Sequence, residues 1–306
     1  MDVERARAGV WGHLVGDAIG VPYEFSAPNP DRVVEVRQFG TYHQPAGTWS
    51  DDGALMLALL DSLTSAGFDP DDQAQRMLAW RDEGTYTPDS DGMFDIGTTT
   101  RQALERIRRG TPSVDAGGTA ERDQGNGSLM RILPLALVGA GADDVLVEHA
   151  HLASRVTHGH PVCQAACALY VLVARELLSD AVTPPDPALD RALARLRAIY
   201  GSDGDHPSAL EALVSHRATL RRPGGGWVLD SFWSAWGAFA SSNTYQQTIE
   251  RSVRLGHDTD TTAAIAGGLA GLRWGTDPAS GGIPADWLAA LRGKDLVEEL
   301  IARLAD

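Results

Sequence analysis

Apolar residues recur three and four apart through almost the whole chain, and this spacing constrains the fold more than any other feature. It predicts helices over 4–19, 51–65, 71–82, 98–109, 128–137, 145–155 and 161–179. Further helices are predicted over 188–200, 207–216, 229–241, 245–255, 261–274 and 284–304. Alternating strand patterns are nearly absent, and 31–39 is the one plausible extended piece. The expected fold class is therefore all-α. Interruptions at 111–119, 183–187 and 222–226 have loop length and turn chemistry. None reads as a long linker, and no internal repeat is visible. With 306 residues, 43% of them hydrophobic, the chain can build one large core, so a single compact domain over 1–306 is expected.

The formal net charge of −15 argues against electrostatic binding to nucleic acid or to an anionic membrane. It does not exclude an anionic small ligand, because bound cations invert a local field. No stretch has a signal-peptide pattern, and no apolar run stands out as membrane-spanning. The cysteines are Cys163 and Cys167. A cytoplasmic, reducing setting and a monomer are expected.

Two acidic clusters lie far apart in the chain: Thr48-Trp49-Ser50-Asp51-Asp52 and His257-Asp258-Thr259-Asp260-Thr261-Thr262. Each precedes a small-residue helix, so taken alone each reads as a helix N-terminus, where Ser and Asp satisfy free N–H groups. Taken together they offer four carboxylates and several hydroxyls, the oxygen donors that hard divalent cations take. Four anions brought together need cations between them, and a two-metal centre meets that need.

Other motifs have two readings each. Glu24, between Tyr23 and Phe25, is either a surface residue or a carboxyl in apolar surroundings able to handle a proton. Phe94-Asp95-Ile96-Gly97-Thr98-Thr99-Thr100 precedes a helix, and either Thr98 or Asp95 simply caps it or the segment is a ligand-facing loop. Gly125-Asn126-Gly127-Ser128 is a glycine turn that, opening a helix, would present backbone N–H groups to a phosphate. It is not a Walker loop. His158, His160, Cys163 and Cys167 offer zinc-ligand types, but Cys163 and Cys167 share one apolar helix face and fit buried thiols better. His158 is more attractive as a polar ligand contact.

In order along the chain stand GDAIGVPYEF (16–25), GTWSDDGALMLALLDSL (47–63), FDIG (94–97), GNGSLMR (125–131) and THGHP (157–161). GWVLDSFWSAWGAF (226–239) and LGHDTDTTAAIAGGLAGLRWG (255–275) complete the series. This set resembles the ADP-ribosylglycohydrolase family, and it spans nearly the whole chain. The resemblance implies an all-α fold around two Mg2+ or Mn2+ ions. It implies Ser50, Asp51, Asp52, Asp258, Asp260 and Thr261 as ligands, with Asp51 and Asp258 essential to catalysis. Glu24 would sit beside the ribose and handle a proton. Gly125, Asn126, Gly127 and Ser128 would hold the diphosphate, and Asp95 and His158 would line the cleft.

The implied reaction is hydrolysis of the glycosidic bond between ADP-ribose and an acceptor, with arginine of a modified protein as default and serine or a small conjugate as others. Three positions depart from the pattern: Ser50 for Thr, Gly53 for Thr, and His257 for Gly or Ala. The competing readings are a non-catalytic ADP-ribose binder and a two-metal hydrolase of a nucleotide pyrophosphate.

Overall fold

The computed structural model describes residues 2–88, 92–138, 141–220 and 222–305. Asp2 accepts a hydrogen bond from Arg5 N at 3.1 Å and so starts α1 (Val3–Gly20). Ser50 caps α2 (Asp51–Ala66) and Asp69 caps α3 (Pro70–Glu83), each accepting from the second backbone N–H beyond it. Then follow α4 (Thr98–Arg108), α5 (Pro134–Leu137), α6 (Asp143–Arg155), α7 (Pro161–Ser179), α8 (Pro185–Tyr200) and α9 (Asp205–His216). The chain closes with α10 (Val228–Ala240), α11 (Tyr245–Arg254), α12 (Thr259–Trp274), α13 (Ala285–Ala290) and α14 (Lys294–Ala302). Among the described residues there is no strand, only the isolated bridges Gly118–His158 and Gly125–Trp227. The all-α expectation holds, in one compact domain.

The centre of the molecule is α12 laid along α1. Glycines at four-residue spacing, Gly12 and Gly16 on α1 and Gly267 and Gly271 on α12, let the two backbones touch. A Cβ on Gly16 would overlap the carbonyl of Ala263, and one on Gly271 would overlap that of Ala8. α12 is buried from Thr259 to Leu272, which explains why its sequence is small and apolar on every side. Helices α2, α7, α10 and α11 pack around this pair.

Four expectations need correction. Helix 128–137 shrinks to α5, with turns before it. Pro134 has no N–H to donate, and its ring would clash with the Met130 carbonyl in a longer helix. Helix 284–304 divides into α13 and α14: Leu291 turns extended at ψ 132 and ends the first, and Gly293, at φ +62, leads into the second. Segment 31–39 forms no strand and ends at Phe39 with a left-handed φ of +57; it is held instead by the Tyr23 hydroxyl, 3.2 Å from both Glu35 N and Glu35 O. Finally, one helix among the described residues, α7, is long and apolar enough to cross a membrane, with 19 residues and a mean hydropathy of 1.5. Its most apolar window is 89% buried inside this fold, which makes it a core helix here.

Candidate active site

The N-termini of α2, α4 and α12 converge on one cavity of about 210 Å³. Its walls include Glu24, Asp51, Asp95, Asn126, His158 and Asp258. Helix N-termini carry partial positive charge, so this is a place where carboxylates and anionic ligands are favoured.

Each acidic cluster is fixed by its neighbours. Asp17 of α1, fully buried, accepts from Ser50 N at 3.0 Å through both oxygens and from Gly53 N at 2.7 Å. Ser50 Oγ accepts from Asp52 N at 3.2 Å and is therefore the true cap, leaving Asp51 and Asp52 free of that duty. Asp52 Oδ2 accepts from Ser50 Oγ and Thr261 Oγ1, each at 3.2 Å, which joins the two clusters directly. Thr259 Oγ1 donates to Gly20 O at 2.8 Å and ties the start of α12 to the end of α1. Asp258 Oδ2 accepts from Asn126 Nδ2 at 2.7 Å. Asp260 Oδ1 accepts from Thr261 N at 2.9 Å. The Tyr42 hydroxyl donates to Asp95 Oδ1.

Glu24, Asp258 and Asp260 each bring a carboxylate oxygen within 4.8 Å of the others. Three buried oxygens have no hydrogen-bond partner: Glu24 Oε2, Asp52 Oδ1 and Asp260 Oδ2. Leaving such atoms unsatisfied is costly unless a cation or proton joins them. The electrostatics agree. Burial, and then repulsion from neighbouring carboxylates, pushes Asp51, Asp52 and Asp260 well above the usual carboxylate range. Glu24 rises to about 9 through burial and then repulsion from Asp95 and Asp258. Asp17 rises to about 7, burial outweighing its backbone hydrogen bonds, and Asp95 to about 6, burial outweighing the Tyr42 bond. The donor set is all oxygen and highly anionic, which fits a hard divalent cation.

Most of the residues singled out from sequence reach this place. Gly125, Asn126 and Gly127 line the cavity with His158, whose ring lies against both glycines. His158 is buried, and burial and then the Arg131 charge lower it to about 3, so its ring is neutral. The Ser128 side chain does not face the cavity. Its hydroxyl is buried, accepting from Ser154 Oγ at 2.9 Å. Nor does the glycine turn open a helix as expected; the buried Arg131 guanidinium holds it by donating to Gly127 O and, at 3.0 Å, to Ala153 O. Cys163 and Cys167 are buried thiols, 3.6 Å from Gly125 O and 3.5 Å from Ser128 Oγ. His257 does not line this cavity.

Sequence reasoning missed Asp17 and Tyr42 as parts of the site, whereas Thr99 and Thr100, in the 94–100 segment read as a ligand-facing loop, do line the cavity. Asp17 lies inside a matched motif, yet only the fold shows it beneath the Ser50–Gly53 turn. Tyr42 carries no local signal at all.

The family model for ADP-ribosylglycohydrolase matches residues 2–306. The chain belongs to the ADP-ribosylglycohydrolase family. It is 28% identical to the ADP-ribosylarginine hydrolase Tri1 of Pseudomonas putida (strain GB-1), covering 99% of this chain and 78% of that one. It is 28% identical to the ADP-ribosyl-[dinitrogen reductase] glycohydrolase of Rhodospirillum rubrum, covering 99% and 95%. A solved structure described as an ADP-ribosylglycohydrolase-related protein complex superposes with a TM-score of 0.80 at 31% identity, covering 99% of this chain and 98% of that one. This ADP-ribosylglycohydrolase is thus an enzyme whose family cleaves ADP-ribose from acceptors. Three of its carboxylates, on Glu24, Asp258 and Asp260, lie close enough together that they could hold a metal ion.

Proposed function

We propose that this enzyme hydrolyses the glycosidic bond between ADP-ribose and an arginine side chain of a modified protein, with two Mg2+ or Mn2+ ions. The observation that carries the reading is the set of unpartnered, buried carboxylate oxygens on Glu24, which lines the cavity, on Asp260, grouped with Glu24 and Asp258, and on Asp52, bonded to Thr261 of the cavity wall. Ser50, Asp51, Asp52, Asp258, Asp260 and Thr261 would hold the ions. When bound, they supply Lewis-acid activation of water and a hold on the ribose hydroxyls.

The rest falls to the chain's own groups. Bond cleavage at the anomeric carbon develops positive charge on the sugar, and a carboxylate-lined cavity stabilises it. Glu24, whose Oε2 is buried and unpartnered near Asp258, would pass a proton to the departing nitrogen. Gly125 and Gly127 would let the diphosphate approach the backbone; a Cβ on Gly127 would press on the His158 ring at 2.8 Å, while one on Gly125 would make only ordinary contact with it. Asn126 fixes Asp258 through its 2.7 Å hydrogen bond. A guanidinium acceptor suits the rim, where Phe25, Tyr42 and Phe94 form an aromatic series with centroids 6.3 and 5.1 Å apart. Free buried thiols fit a cytoplasmic enzyme, and we take it to act as a monomer.

The test is hydrolysis of arginine-ADP-ribosylated protein in Mg2+, Mn2+ or EDTA, with the released nucleotide weighed by mass spectrometry. Metal-dependent release of intact ADP-ribose supports the reading. Release of AMP would move the cleavage to the pyrophosphate. Binding of ADP-ribose without turnover of arginine- or serine-linked substrate would make the chain a binder.

A further inference from the structure

A cavity larger than the catalytic one lies apart from the chemistry. A groove of about 680 Å³ lies beside the catalytic cavity and shares none of its residues. Trp233 and Gly237 of α10, Arg251 and Arg254 of α11, and Arg222 and His257 from loops line it. No lining residue is acidic, in a chain whose net charge is −15. Arg254 is already engaged, at 3.2 Å from Glu250 and 3.0 Å from Arg32 O. Among the described residues, the exposed Arg222 and Arg251 have no acidic partner. The groove is therefore a largely apolar slot, with Trp233 in its wall and three arginines along it, on a strongly acidic protein.

Three chain segments form the wall between groove and catalytic cavity. Pro28 faces the groove and Glu24 the cavity; Pro223 faces the groove and Gly226 the cavity; His257 faces the groove and Asp258 the cavity. These segments are stitched together. Phe25 N donates to His257 O at 2.6 Å, His257 N to Ser26 O at 2.8 Å, and Asp258 N to Gly224 O at 2.9 Å. Groove and catalytic cavity are thus two sides of the same hydrogen-bonded segments. Gly237 adds to the shape. It is an exposed glycine within a helix, and a Cβ there would meet nothing within 4 Å. Its missing side chain widens the groove.

We infer that this groove docks an acidic segment of the ADP-ribosylated protein, next to the modified residue. The inference rests on the reading of the neighbouring site as a hydrolase of protein-linked ADP-ribose. Charge complementarity selects the occupant: a polypeptide rich in Asp and Glu meets Arg222 and Arg251 there, whereas it is repelled by the rest of an acidic enzyme. It would also set substrate choice, because the groove shares no residue with the catalytic cavity and a small ADP-ribose conjugate has no acidic segment to place there.

The test compares three substrates with the full-length enzyme and its metal. One is ADP-ribosylarginine. The others are two ADP-ribosylated peptides alike except for Asp/Glu or Lys residues flanking the modified arginine. The wild-type enzyme should prefer the acidic peptide in kcat/KM, more strongly at low salt. The double variant Arg222→Glu/Arg251→Glu should lose about fivefold on the acidic peptide, gain on the lysine peptide and leave ADP-ribosylarginine unchanged. Gly237→Leu, which fills the groove without altering charge, should weaken both peptides and spare ADP-ribosylarginine.

Equal treatment of the two peptides by wild type and double variant would overturn the inference. So would an equal loss on ADP-ribosylarginine, which would assign the groove to the nucleotide. A fluorescein-labelled, unmodified acidic peptide supplies a separate reading by anisotropy. Salt-sensitive binding that the double variant loses upholds the groove even if no substrate is turned over, a result that would count against the proposed reaction alone. Absence of any such binding, with normal hydrolysis, would sink the docking surface and leave the reaction standing.

Discussion

Asp17 shows how much one residue outside the acidic clusters can decide. Its carboxylate receives the Ser50 and Gly53 N–H groups and so sets the turn from which Ser50, Asp51 and Asp52 reach the cavity. Asp17→Ala strands two buried N–H groups and should cost about 3 kcal/mol of stability, read by urea denaturation. It should also weaken metal binding about 10- to 100-fold, as loss of a residue supporting metal ligands does; calorimetry with Mn2+ measures that. Asp51→Asn and Asp258→Asn should each nearly abolish ADP-ribose release while leaving the helical circular dichroism intact. Retention of most activity by both would defeat the assignment of these residues. The acidic clusters were legible because their residue types already state a chemistry. Asp17, Tyr42 and the core-facing turn of Ser128 were not, since each depends on what lies across from it in space.

At the scale of elements, glycine spacing carries the α1–α12 contact. Gly16→Ala would drive a methyl into the Ala263 carbonyl, and backbone cannot yield as a flexible side chain can. A loss of about 3 kcal/mol or more is expected, as a fall in thermal midpoint. Because Gly20 and Thr259 link the same two helices at the cavity, metal affinity should fall with it.

A second contact between elements is pH-sensitive. His151 of α6 stacks on His206 of α9 at 4.2 Å, and its Nε2 lies 2.7 Å from the Tyr200 hydroxyl of α8. Burial, then the charges of His206 and Arg155, lowers His151 to about 3. The unfolded chain therefore binds the proton more readily. The contribution of His151 is complete above its ordinary value of 6.5 and is lost as pH falls from there towards about 3. Thermal midpoints between pH 7.5 and 5 should drop less steeply in His151→Gln than in the wild-type protein.

On the scale of the whole molecule, the fold gathers acidic groups that water would otherwise keep apart. The metal-free protein carries that repulsion as a cost, so divalent cation should stabilise the entire domain. At a hundredfold excess over Kd the gain is about 2.7 kcal/mol, visible as a rise in melting temperature that EDTA reverses. Asp260→Asn should remove most of that rise while leaving the metal-free protein as stable as before, or more so, because one buried like charge is gone. An equal rise in the variant would show that Asp260 holds no cation.

The sequence alone determined the helical class, nearly every helix and the two acidic clusters. Those properties are local: periodicity, caps and donor atoms are written in neighbouring residues. It misjudged 128–137 and 284–304, where a proline and an extended turn at Leu291 override apolar periodicity. Only the tertiary structure decided that Thr261 reaches Asp52, that Asp17 supports Ser50, and that His257 turns to the arginine-lined groove rather than to the carboxylates. Those relations depend on α1 and α12 lying backbone to backbone, and no spacing along a single chain records which two helices will meet.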